Sequence, residues 1–111
     1  MMNFMQESAR RFVLIRAAQQ TKHYIEAIGL DNIRILVEGD RSLTELWLKS
    51  ASPEERAQLK EQLLTIAKMG VSPREMWDEM ARQTPELGNI IKINPRYVDR
   101  EIKNLEALCR E

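Results

Sequence analysis

Helix punctuation constrains this chain more than any other feature. Ser52-Pro53-Glu54-Glu55 and Ser72-Pro73-Arg74-Glu75 each place a capping hydroxyl before a proline, with a glutamate three residues past the cap. The serine accepts from the first free backbone N–H groups, the proline fills a position whose N–H is unpaired anyway, and the glutamate reaches back to the cap. Asn94-Pro95 opens a further segment, and Gly29, Gly39 and Gly70 stand where segments should stop. Starts and stops this frequent predict several short helices and leave no room for long strands. The three starts lie about 20 residues apart, but the residues between them do not match, so they are helix-start chemistry and not a repeat.

Composition agrees. Hydrophobic residues make up 43% of the 111, mostly Leu, Ile, Ala and Met, so a core can form and helices are preferred over strands. Four Gly and four Pro are too few for a turn-rich β architecture. The expected fold is all-α: a single helical domain over 1–111, a bundle of about five to six helices, with a helix-turn-helix-like C-terminal part.

Along the chain, apolar residues recur at helical spacing from about 4 to 28, and Phe12, Val13, Leu14 and Ile15 are consecutive. A helix apolar on several sides must be covered on several sides, which predicts a homo-oligomer. Residues 31–38 fit a helix through Leu30, Ile33 and Val37 or a strand through Ile35, Leu36 and Val37. The helix is favoured because no partner strand is evident. Ser42 and Glu45 have capping-box spacing ahead of a helix burying Leu43, Leu46 and Trp47. The next helix, to about Met69, should bury Leu59, Leu63, Ile66 and Ala67, and one over about 73–83 should bury Met76, Trp77 and Met80. Residues 84–93 read as irregular or a single turn, and a last helix spans 95–110.

Formal charge is zero, from 17 basic and 17 acidic side chains, so no whole-molecule field draws in nucleic acid. Charge is nonetheless uneven. Residues 1–25 carry four basic and one acidic side chain, and residues 26–66 carry five and eight. On the last helix Arg96, Arg100, Lys103 and Arg110 fall within about 80° of arc, opposite Val98, Ile102, Leu105 and Cys109. Over residues 93–105 this segment resembles the recognition helix of helix-turn-helix regulators. The resemblance implies DNA contact through Lys92, Arg96, Tyr97, Arg100 and Lys103. Asp99, Glu101 and Glu106 flank the stripe, and the same pattern also describes a solvated basic face. The corner at Met69-Gly70-Val71-Ser72 precedes an acidic helix and reads as structural.

A protein partner is the other reading. Phe12, Ile15, Met76, Trp77 and Met80 would form its apolar contact, since methionine repacks against varied surfaces; the same residues would equally serve as core. Catalysis has no sequence support. His23 is the only histidine, Cys109 the only cysteine, and no Gly-rich phosphate loop, Cys-x-x-Cys or Gly-x-Ser-x-Gly occurs. No enzyme activity, metal, cofactor or small-molecule ligand is expected. No apolar stretch approaches membrane-spanning length, and a cytoplasmic location is expected.

Overall fold

A computed structural model describes residues 4–111, Phe4 by its backbone only; the first three residues of the span assigned to the domain lie outside the described residues. The described chain is all-α, with seven helices: α1 Phe4–Ile28, α2 Leu30–Glu38, α3 Leu43–Ser50, α4 Pro53–Lys68, α5 Pro73–Gln83, α6 Pro85–Ile91 and α7 Arg96–Cys109. No helix among the described residues is long and apolar enough to cross a membrane.

The ambiguous run at 33–37 is helical, and the packing shows why. Ile33 and Val37 are one turn apart and both fully buried, while Ile35 between them is 64% exposed. A strand would put all three on one face. The expected count was five to six helices; the additional one is α6. Pro85 supplies its first turn and buried Leu87 anchors it. Gly88 sits inside this helix, in the segment expected to be irregular or a single turn. It is a place of close approach, since a Cβ there would lie 3.3 Å from the carbonyl oxygen of Ala81 on α5.

Both Ser-Pro starts fold as capping boxes, with Ser52 and Ser72 accepting from the backbone N–H of Glu55 and Glu75. Ser42 departs from that pattern. It accepts from the N–H of Glu45, but Glu45 does not return the bond and pairs with Lys49. Its place is taken by Glu101 from α7.

The core gathers Ala18 and Ile25 of α1, Ile33 and Val37 of α2, Leu63 of α4, Met76, Trp77 and Met80 of α5, Leu87 of α6, and Tyr97, Ile102, Leu105 and Leu108 of α7. α1 packs mainly on α5, α5 also meets α6 and α7, and α2 covers α6. The helix α3 rests mainly on α7 and has no fully buried residue; Leu43, Leu46 and Trp47 are each half-exposed, contrary to expectation. On α4 only Leu63 of the expected four is fully buried, with Leu59 and Ile66 half-buried and Ala67 exposed. The outer helices are thinly packed, and this positions the site.

The α4–α5 corner has φ +84° at Gly70, and Val71 donates back to the carbonyl of Ile66 over 3.1 Å. A Cβ at Gly70 would come within 3.3 Å of Arg10, whose guanidinium pairs with Glu75 and holds that carboxyl below its usual range. Gly70→Ala is expected to cost about 1–2 kcal/mol in urea unfolding, from left-handed strain on a residue with a Cβ. A loss below a few tenths would contradict that corner geometry.

Candidate binding groove

Three helices that leave their apolar faces incompletely covered enclose one large groove. From α1 come Ala17, Gln20, Thr21, Tyr24 and Ile25; from α3, Leu43, Thr44 and Trp47; from α4, Leu59, Leu63 and Ile66, with Gln58, Glu61, Gln62 and Thr65 also lining it. Met76, Trp77 and Leu105 of the core close its floor. Its volume is about 680 Å³. Apolar concavities of this size with a few polar groups are characteristic of binding sites. The spacing of Leu59, Leu63 and Ile66 keeps all three on one side of α4. Trp47 and Trp77, the chain's two tryptophans, both line the groove. Trp77 packs edge-on against Tyr97, with ring centroids 5.9 Å apart. Its buried Nε1–H has no acceptor among the described residues.

The α3 wall is held from the far side by a buried carboxylate. Glu101 is fully buried and accepts from the Ser42 hydroxyl, from the backbone N–H groups of Leu43 (3.0 Å) and Thr44 (3.2 Å), and from the Tyr97 hydroxyl (2.8 Å). Asn104 donates to Ser42 over 2.8 Å. The first turn of α3 is thus capped by α7, where the partial positive charge of a helix start favours an acidic group. Burial raises the Glu101 carboxyl above its usual range, against the opposing pull of its donors, and burial likewise raises the Tyr97 phenol.

The sequence-predicted DNA contacts divide. Lys92, Arg96 and Lys103 are exposed. Arg100 is committed to the α2–α3 turn, bonding the Asp40 carbonyl and carboxylate at 2.9 Å each, and Arg96 lies 3.9 Å from the same carboxylate. Asp99, on the flank of the stripe, pairs with Arg74. Tyr97 requires correction: it is fully buried and bonded to Glu101, because the packed arc of α7 extends to Tyr97 and Glu101, so it cannot meet a base edge.

The predicted partner contacts divide as well. Met76, Trp77 and Met80 are 5%, 3% and 0% exposed, so they are core and not surface, although the first two reach the groove floor. Met80 is wholly enclosed where α5 meets its neighbours. Phe12 is 64% exposed with the Arg16 guanidinium 5.9 Å from its ring, and Ile15 is half-buried. His23 is exposed, and Cys109 is half-buried with its thiol pushed up by burial. Among the described residues no cluster of three potential metal ligands occurs.

Sequence reasoning missed Tyr24, Leu59, Ile66 and Glu101. The first three looked like ordinary inward residues, and no local signal distinguishes a covered face from an open one. Glu101 had a signal. It stands four residues after Tyr97 and four before Leu105, within a column that is otherwise buried. Comparison with protein-family models, curated proteins and solved structures finds no match for this chain.

Proposed function

We propose that this chain is a non-enzymatic interaction module that takes the apolar face of a partner protein's amphipathic helix into the groove between α1, α3 and α4. The groove itself carries the reading: an open apolar trough walled by helices is the geometry in which helix-in-groove recognition operates. Its rim adds selectivity. Gln20, Gln58 and Gln62 offer amide hydrogen bonds, and Glu61 is the only charged residue lining it among the described residues, which favours a helix with a basic flank.

Because both tryptophans line the groove, intrinsic fluorescence reports occupancy directly. Titration with a Leu/Lys amphipathic helical peptide of about 18 residues should give a saturable emission shift. Trp47→Phe should retain the part due to Trp77, and Glu61→Lys should weaken binding several-fold through rim charge. An unchanged spectrum up to ~100 µM peptide would remove this reading.

DNA association through α7 is a second reading, favoured by the exposure of Lys92, Arg96 and Lys103. It requires binding that falls steeply with salt and a shallower salt slope when these three are replaced by alanine.

A further inference from the structure

The helix α1 carries apolar side chains beyond the one arc that the core covers. Setting Phe12 at 0° and turning about 100° per residue, Leu14, Ala18 and Ile25 point inward at about 200–240°. Met5, Ala9, Phe12 and Val13 occupy about 0–100°, and Ala17, Gln20 and Tyr24, which line the groove, occupy about 80–140°. The exposed apolar residues of the N-terminal half therefore run along the helix toward the groove face of the C-terminal half, with Arg16 at about 40° and His23 at about 20° among them. Met5, Phe12 and Tyr24 are 74%, 64% and 48% exposed. Charge follows the same division. Arg16 on α1 lies over Phe12 with no carboxylate partner among the ion pairs of the described residues, and Glu61 is an exposed acid on the opposite wall of the groove.

We infer that a second copy of this chain occupies the groove, through antiparallel pairing of the two α1 helices about a two-fold axis at the level of residue 18. The inference rests on the groove reading and names the helix that fills the groove when no other partner does. In this arrangement exposed Ala9 and Ala27, both at about 60°, face each other and allow close approach, Arg16 passes beside Gln20 toward Glu61, Phe12 of one copy lies beside His23 of the other, and Tyr24 lies beside Val13. Each N-terminal half covers the other's groove, so both bare surfaces are buried at once and the assembly closes at two copies. Arg16, exposed beside the apolar residues of the N-terminal half, meeting Glu61 on the groove wall is the charge complementarity of the pairing.

Sedimentation velocity on the full chain, from about 1 to 100 µM, should show a monomer of 13.0 kDa giving way to a species of twice that mass. Phe12→Glu alters a side chain exposed in the single copy, so helix content should persist while dimer dissociation strengthens by tenfold or more. In a Cys109→Ser background, Ala9→Cys and Ala27→Cys chains should form a mixed disulfide when combined. A monomer throughout this range, or a dimer indifferent to Phe12→Glu, would overturn the inference. The outcomes separate the two readings. A monomer that binds the Leu/Lys peptide removes the pairing and keeps the groove as a partner site. A Phe12-dependent dimer to which the peptide never binds upholds the pairing and removes the external partner.

Discussion

Glu101→Ala is expected to lower the free energy of unfolding by about 3 kcal/mol or more, a large share of the roughly 5–15 kcal/mol available to a domain of this kind. The change removes the acceptor for two buried hydroxyls, Ser42 and Tyr97, and for two backbone N–H groups at the start of α3. Each donor left unpaired away from water costs about 1–3 kcal/mol, and the relief of no longer burying a carboxylate offsets part of the sum. Since α3 supplies Leu43, Thr44 and Trp47 to the groove, the loss should reach beyond stability. Trp47 emission should move toward that of a solvated indole before global unfolding begins. A loss under 1 kcal/mol with unchanged Trp47 emission would mean that α3 is held by its apolar contacts alone.

Glu101→Gln separates geometry from charge. The amide keeps one acceptor oxygen but turns an NH₂ toward donors, so a smaller loss of about 1–2 kcal/mol is expected. Its dependence on pH has a definite sign. Burial raises the Glu101 pKa in the folded chain, so the folded state holds the proton more tightly than the unfolded chain does. This group's contribution is therefore fully present below the ordinary glutamate value and falls as pH rises through the raised one. Glu75 and Glu79, held low by Arg10 and Arg82, act with the opposite sign, their contributions fading as pH falls. They are common to both chains and cancel in the comparison. The stability gap between parent and Glu101→Gln should be widest in mild acid and narrow toward neutral pH. A gap that widens with pH would reverse the assignment.

Trp77→Ala should cost about 3–5 kcal/mol, the usual loss for emptying a large aromatic site. The ring is 3% exposed, packs edge-on against Tyr97, and separates the groove floor from the core behind it. Trp77→Phe is the informative control. It removes an indole N–H that no group among the described residues accepts, so its cost should be well below the alanine value, the lost volume being partly offset by relief of an unpaired donor. Equal losses in denaturant unfolding would show that the N–H has a compensating contact.

Local chemistry made most of the secondary structure readable. Ser52-Pro53 and Ser72-Pro73 cap helices whatever surrounds them, because the capping bonds lie within three residues of each other. The inward face of α7 through Ile102 and Leu105 was likewise legible from spacing. Tertiary structure decided the rest. Whether 33–37 became helix or strand depended on what Ile33 and Val37 met, and α6 is anchored by burial of Leu87 and lies close against Ala81 of α5 at Gly88. The same holds for the candidate site. Glu101 and Ser42 are 59 residues apart, and Arg100 and Asp40 are 60 apart, so no local pattern could say that α7 spends its charged side chains on the α2–α3 turn and the start of α3. Periodicity says which side of a helix is apolar. Only the packed arrangement says which apolar side is left open, because burial depends on every other helix at once.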